Sequence, residues 1–415
     1  MISSFSVRNY RSIVDLTLDL TYKEGKAPNH YEDMDLLPFL ENGRERLSPA
    51  FVIYGANAAG KSNVIRAIFT LQRLVSWGLK PEHGRIYDPN ILHPDSECTE
   101  FVVSTCVGKR DYVYSVKFDA DAIIEESLVA DGRDVFRIAP TTRRFPVLIN
   151  KSYRQQKWED VYATECCPDG KTARFTFFQR AAQNYGGISE ALREAYDSLT
   201  GRLFIIPGRK LHNLMPSMWN VLAEAYNGDE NLRAELVRLL RQFDIGIKGL
   251  SFREDVGGKG KILCAHHVDA SGREVVIDFS EESEGTNELL VRLLGMMLTL
   301  HTGGVMVVDE LDASIHPLVL RELVRMMRSR RFNKSGEAQF IFTAHTTDLL
   351  DSDVLRLSDV AFVRKNAKMG TMLKNLMDFK DAGEKLRNDS NWRTRYLEGW
   401  LVFRRSERSD MRMPT

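Results

Sequence analysis

Covalent and metal staples are scarce in this sequence. Cys98, Cys106, Cys166, Cys167 and Cys264 are its 5 cysteines in 415 residues. That odd number, without a C-x-x-C pair, excludes a disulfide framework and a zinc ribbon and suits a reducing, cytoplasmic setting. Net charge is missing too. Lys and Arg number 57, Asp and Glu also 57, which argues against a protein built mainly to coat nucleic acid, although a local basic groove stays open. No apolar run approaches a membrane helix's length of about 18 residues. The first residues, MISSFSVRNYRSIVDLTLDL, alternate apolar with polar and lack the apolar centre of a signal peptide. Heptads and internal repeats are absent. What the chain does have is hydrophobic residues, 43% of the total, enough for a sizeable core and, by length, for roughly two to three domains.

The chemistry begins at Gly55-Ala56-Asn57-Ala58-Ala59-Gly60-Lys61-Ser62. This stretch fits G-x-x-x-x-G-K-[ST] and follows the apolar run Phe51-Val52-Ile53-Tyr54 directly. Such a loop wraps its amides around the phosphates of a nucleotide; Lys61 reaches the β and γ oxygens, and Ser62 ligates Mg²⁺. The next residues, Asn63 to Trp77, read as a helix whose N-terminus faces the anion. An ordinary Gly/Ala-rich turn would leave the Lys-Ser pair after the second glycine unexplained.

Residues 2–20 read as two strands, and 21–48 as a long polar loop. Four short β-type runs between Thr99 and Ile149, with turns at Gly108-Lys109-Arg110-Asp111 and Asp131-Gly132, predict an antiparallel meander. Ile188–Leu199, Leu211–Tyr226 and Asn231–Phe243 have helical spacing and predict a small helical subdomain. Strands return over 261–268 and 273–279, followed by a helix over Glu284–Leu300. The remainder alternates: strand 305–309, helix 317–330, strand 338–343, helix 346–351, then strands 359–364 and 370–376. Such alternation means a parallel sheet covered by helices. The stretch 385–415 is basic, with little apolar patterning after Leu401-Val402-Phe403.

Four further segments bear on the nucleotide loop. Val305-Met306-Val307-Val308-Asp309-Glu310 is an apolar strand ending in two acids, at the sheet edge where ligands of open α/β sheets bind. Asp309 is the expected Mg²⁺ partner, and Glu310 the general base or water-orienting residue for attack on the γ-phosphorus. Asp312 and Ser314 follow closely enough to share a loop over the nucleotide. Pro317 suits the first turn of the next helix, where His316 caps or packs. His345, in Phe342-Thr343-Ala344-His345, ends a neighbouring strand within reach of a γ-phosphate; a lone His there more often just satisfies its own hydrogen bonds. Ser283-Glu284-Gly285 opens the helix 284–300, and its hydroxyl and free amides suit an anion as well as an ordinary N-cap.

Taken in order, these segments resemble the heads of ABC-class ATPases, in which Walker A, signature, Walker B, D-loop and H-switch follow one another in this sequence. The resemblance covers residues 1–20, 49–80 and roughly 275–365. Within the class the chain looks like the stand-alone AAA/OLD-like ATPases of bacterial defence loci, through Asn9-Tyr10-Arg11-Ser12, Ser283-Glu284-Gly285-Thr286, the run Asp309 to Pro317, Thr343-Ala344-His345, and Tyr396-Leu397-Glu398-Gly399. The resemblance implies ATP and Mg²⁺ as cofactors, with Lys61, Glu310 and His345 catalytic. Gly55 to Asn63, Arg11, Ser283, Gly285 and Asp312 contact nucleotide, and Ser62 and Asp309 hold the metal. It also implies that the signature of one subunit completes the site of another, giving an ATP-sandwiched homodimer or higher oligomer. Two departures stand out: Glu284 replaces a signature glycine, and no Q-loop glutamine is evident among Gln155, Gln156, Gln179 and Gln183. SMC-type relatives carry a long coiled coil in the head; here the insertion lacks heptads.

The fold expected is α/β, a P-loop NTPase of ABC-ATPase type. Its mixed central sheet carries an antiparallel meander and an inserted helical subdomain. The expected division is 1–150 for the N-terminal lobe, 151–260 for the helical subdomain, 261–380 for the C-terminal lobe and 381–415 for the tail. The expected function is an ATP-gated scaffold or sensor in anti-phage defence, with a separate effector (a nuclease or toxin) as partner and no membrane partner. The alternative is a DNA-binding SMC-like ATPase in DNA repair or chromosome maintenance, carried by Arg325, Arg328, Arg330, Arg331 and Lys334 and by Arg143, Arg144, Lys151, Arg154 and Lys157. A GTPase would need Asn-Lys-x-Asp, and Asn333-Lys334-Ser335-Gly336 lacks the aspartate. The stretch after His345 is too short for the nuclease that OLD-like relatives often carry. Cys264 and His266 share a strand face beside His267, but a third metal ligand is not evident.

Overall fold

The computed structural model describes residues 1–22, 46–80, 82, 84–92, 97–139, 147–149, 158–169, 171–184, 189–208, 230–243, 246–254, 261–366, 370–381 and 391–398. The chain opens with β1 (Ile2–Tyr10) and β2 (Ile13–Asp19), an antiparallel pair. The two-residue strands β3 (Thr21–Tyr22) and β4 (Arg46–Leu47) then pair with each other. β5 (Ala50–Gly55) leads through the glycine loop into the helix Lys61–Trp77. The meander follows as β6 (Thr99–Val107), β7 (Arg110–Phe118), β8 (Ile123–Ala130), β9 (Arg133–Ile138) and β10 (Val147–Ile149).

Helices Phe177–Asn184, Glu190–Leu199 and Glu230–Gln242 come next, with β11 (Leu203–Ile206) between the last two. Then come β12 (Gly249–Glu254), β13 (Lys261–Val268) and β14 (Glu274–Asp278), the helix Glu284–Thr302, β15 (Gly304–Val308), the helix Pro317–Arg328 and β16 (Ala338–Thr343). The last strands are β17 (Val360–Asn366) and β18 (Gly370–Asn375), and the short helix Trp392–Leu397 follows.

Among the described residues one sheet of 13 strands runs β10-β9-β8-β7-β6-β1-β2-β18-β17-β5-β16-β15-β11. The strands from β17 to β11 are parallel to one another; the rest pair antiparallel. Burial follows that division. β5, β15 and β16 are buried at every position, as strands covered on both faces must be. β6 and β7 alternate buried with partly exposed residues, as a half-covered antiparallel sheet does. Phe51 and Ile53 pack into the layer of the helix Lys61–Trp77. Ala50, Val52 and Tyr54 face the opposite layer, with the helices Glu284–Thr302 and Pro317–Arg328.

The chain is therefore mixed α/β, with a P-loop strand at the centre of a parallel half and a meander on its flank. The meander and the two opening strands stand as the sequence predicts. The helix expected over 346–351 is only a 3-10 turn, Thr347–Leu349. Thr346 caps it, its hydroxyl accepting from the Asp348 amide at 3.3 Å, and the turn is too short to propagate. β11 and β12 were not read from the sequence. The helix expected over Leu211–Tyr226 lies outside the described residues. No helix among the described residues is long and apolar enough to cross a membrane.

Candidate functional site

Because β11, β15, β16 and β5 are parallel, the loops that follow them all leave from one sheet edge. They are Pro207-Gly208, Asp309-Glu310, Ala344-His345 and the glycine loop. In that last loop Ala56, Asn57 and Ala58 are exposed and Lys61 is buried. Ala58 and Gly60 take positive φ, 61° and 110°. At Gly60 a Cβ would stand 2.3 Å from Thr371 Oγ1, so both space and φ require glycine. Lys61 arches back over its own loop, donating to Gly55 O at 2.7 Å and Ala56 O at 3.3 Å. Burial lowers the pKa of its ammonium, and Asp309, Asp312 and Glu310 pull it back up.

The turn between β1 and β2 and the start of β18 brace this loop. Asn63 Nδ2 donates to Ser12 Oγ at 2.6 Å, and Ser12 Oγ lies 2.6 Å from Thr371 Oγ1. Arg11 stands beside the first turn of the helix, Nη1 at 3.3 Å from Asn63 Oδ1, while its Nε pairs with Asp88 at 2.7 Å.

Asp309 is 5% exposed. Its Oδ1 accepts from the Thr343 hydroxyl at 2.7 Å, and the same hydroxyl accepts from the Glu310 amide at 2.7 Å. Asp309 Oδ2 faces Gly208, where a Cβ would come within 3.3 Å of it. Gly208 has φ 88°. Glu310 is itself left-handed at φ 58°, and its Oε1 lies 3.4 Å from His345 Nε2. Arg292, from the helix Glu284–Thr302, is 3% exposed. It pairs with Glu288 Oε2 at 3.0 Å and donates to Glu310 O at 3.3 Å. Burial lowers its pKa, opposed by Glu288.

Asp312 ties two loops together. Its Oδ2 accepts from the amides of His345 at 2.8 Å and Thr346 at 2.6 Å, while its Oδ1 is buried without a hydrogen-bond partner. The Ser283 hydroxyl caps the helix Glu284–Thr302, accepting from Thr286 N at 3.1 Å. A Cβ on Gly285 would come within 3.2 Å of Ser314 O, so the helix start abuts the Asp312–Ser314 loop, and Ser283 and Ser314 are both exposed there. His316 caps its helix, Nδ1 accepting from Leu318 N at 3.3 Å.

Lys61, Asp309, Glu310, Asp312 and His345 thus come together. The Ser62 hydroxyl and Asp309 Oδ2, the carboxylate oxygen that Thr343 leaves over, are oxygen donors of the kind a hard cation takes. Sequence reasoning missed Arg292, Thr343, Thr371 and Gly208. Only Gly208, after Pro207 at a sheet edge, carried a signal, that of a turn.

Other candidates stand elsewhere. Gln179 donates to Ser76 O, at the far end of the helix Lys61–Trp77, and Gln183 to the Tyr196 hydroxyl at 2.9 Å. Gln155 and Gln156 lie outside the described residues, as do Arg143, Arg144, Lys151, Arg154 and Lys157. Arg328, from the other basic cluster, is 4% exposed and pairs with Asp359 at 3.7 Å, so it presents no charge to a nucleic acid. His266 bonds Glu274 and Ser251, His267 bonds Glu282, and no metal-holding group of three His, Cys, Asp or Glu occurs among the described residues. Tyr396 stacks on Phe362, with ring centroids 5.2 Å apart, and stands 5.9 Å from Tyr54 behind the glycine loop.

No curated protein matches the sequence. Among solved structures, the SMC head domain from Thermotoga maritima is similar at 12% identity and TM-score 0.41, over 90% of this chain and 98% of that one. An SMC head domain from Pyrococcus furiosus, solved with an extended coiled coil and bound to the C-terminal domain of ScpA, is similar at 12% identity and TM-score 0.44, over 92% and 98%. Residues 192–351, which hold the helix Glu284–Thr302, Asp309, Glu310 and His345 but not the glycine loop, match the family model described as an AAA domain, putative AbiEii toxin, Type IV TA system.

Proposed function

We propose that this chain binds and hydrolyses ATP as an ABC-class ATPase, and that the nucleotide gates its assembly. The observation that carries the reading is the convergence on one sheet edge of Lys61, Asp309 and the pair Glu310–His345, 3.4 Å apart. Lys61 trades its bonds to Gly55 O and Ala56 O for the β and γ oxygens. The carboxylate of Glu310 orients the attacking water and takes its proton, a bond forms from that water to the γ-phosphorus, and the bond to the ADP oxygen breaks. His345 steadies the phosphoryl group from the adjoining strand end. Mg²⁺ at Ser62 and Asp309 would neutralise the charge developing on the phosphates.

Ser283 and Ser314, exposed side by side at the helix start, suit a second copy whose glycine loop they would cover. ATP would hold the pair closed and hydrolysis would release it. The setting proposed is anti-phage defence, in which the ATPase restrains a separate effector; the family description's mention of a toxin and a TA system is in keeping with a defence role.

The test is sizing of the purified chain with and without ATP. Glu310→Gln should bind ATP and persist as a closed dimer, and Lys61→Ala should lose ATP binding. A Glu310→Gln protein that stays monomeric in ATP would sink the gated assembly, and unchanged ATP affinity in Lys61→Ala would sink the site.

A further inference from the structure

We propose that Thr343 is a positioning residue for both acids of the Asp309-Glu310 pair, an inference that rests on the ATPase reading above. Thr343 closes β16 and is fully buried. Its hydroxyl has one proton to give. The Glu310 amide, at 2.7 Å, occupies an accepting position, so that proton goes to Asp309 Oδ1, also at 2.7 Å. The Thr343 carbonyl accepts from Leu311 N at 3.0 Å. One threonine therefore anchors Asp309, Glu310 and Leu311 in succession.

Two consequences follow for the chemistry. Glu310 sits at φ 58°, a backbone state an L-residue keeps only when its surroundings hold it, and the bond from its amide to Thr343 does so. That backbone state aims its carboxylate toward His345. Asp309, with Oδ1 committed to Thr343, turns Oδ2 toward Gly208, where a Cβ would stand 3.3 Å from it and glycine leaves that oxygen uncrowded. Thr343 touches neither nucleotide nor metal; it decides which carboxylate oxygen the metal receives and where the base points.

The test compares Thr343→Val, which keeps shape and loses the hydroxyl, with Thr343→Ser, which keeps the hydroxyl. For each, Mg²⁺ half-saturation and turnover are measured. ATP affinity in EDTA and hydrogen exchange at the Glu310 amide, without metal or nucleotide, are also measured. For Thr343→Val we expect about tenfold weaker Mg²⁺ response and about tenfold lower turnover, at the low end of the roughly 10–100-fold typical of such outer residues. Exchange at Glu310 should be faster and ATP affinity in EDTA unchanged; Thr343→Ser should restore all of these. Should Thr343→Val fail to fold, Thr343→Ala against Thr343→Ser gives the same contrast. A folded Val or Ala variant with parental Mg²⁺ response and parental exchange at Glu310 overturns the proposal, as does a Ser variant as damaged as Val. If the parent neither binds nor hydrolyses ATP, the ATPase reading fails, and exchange at Glu310 still decides whether Thr343 is its anchor.

Discussion

Under Glu310, the Arg292–Glu288 pair is a buried charge pair one helical turn apart, with the arginine also holding Glu310 O. Taking two ions out of water costs more than their attraction alone returns, so breaking such a pair is worse than never having made it. Arg292→Ala should therefore destabilise the chain by about 3–5 kcal/mol, since it strands Glu288. The double change Arg292→Met with Glu288→Leu should recover most of that in urea unfolding while leaving Glu310 less firmly placed. A single and a double variant of equal stability would refute this account. Neither side chain announced itself in the sequence. A Glu and an Arg four apart on a helix read as a solvated pair, whereas the tertiary packing of that helix leaves both buried. The meeting of Lys61, Asp309 and Glu310 at one sheet edge was legible because each follows an apolar run that reads as a strand of one parallel sheet. Thr343 was not, because its partners lie 33 and 34 residues away.

Among the elements, the helix Phe177–Asn184 shows how a strand can cap a helix. Glu126, on β8 and 2% exposed, accepts from Phe177 N at 2.7 Å and Phe178 N at 3.0 Å, and Tyr114 OH donates to it at 2.9 Å. Burial nonetheless pushes its pKa up to about 7, with the two amides pulling it down. The folded chain then holds a proton on Glu126 that the unfolded chain releases near its ordinary 4.5. Stability from this group is greatest below that value and falls as pH rises from 4.5 to about 7. Against Glu126→Gln, which cannot ionise, the parent should lose relative stability across that window; melting temperatures that move in parallel from pH 4.5 to 7.5 would contradict it. The meander was readable because its strands alternate and its turns carry Gly and Asp. β11 was not: Leu203–Ile206 is four residues, too short for a period to show, and its place beside β15 comes from a pairing 102 residues along the chain.

At the scale of the molecule, β5 is hydrogen-bonded on one side to β16 and on the other to β17. The glycine loop is written early in the chain, but the strands that flank it come nearly 300 residues later. A ribosome adding roughly 5–20 residues per second would leave β5 and its apolar side chains without sheet neighbours for on the order of tens of seconds. On the ATPase reading, ATP cannot help the segment before β16 fold during synthesis, because β5 lacks its flanking strands until β17 has emerged. Stalled chains ending near residue 330 should retain no ATP analogue, and chains with residues 1–398 clear of the ribosome should; retention by the shorter chains would show that the glycine loop folds without its neighbours. A nascent copy of this protein would thus keep β5 without its sheet neighbours through that interval, and on the ATPase reading its nucleotide site would form only once β17 has joined the sheet.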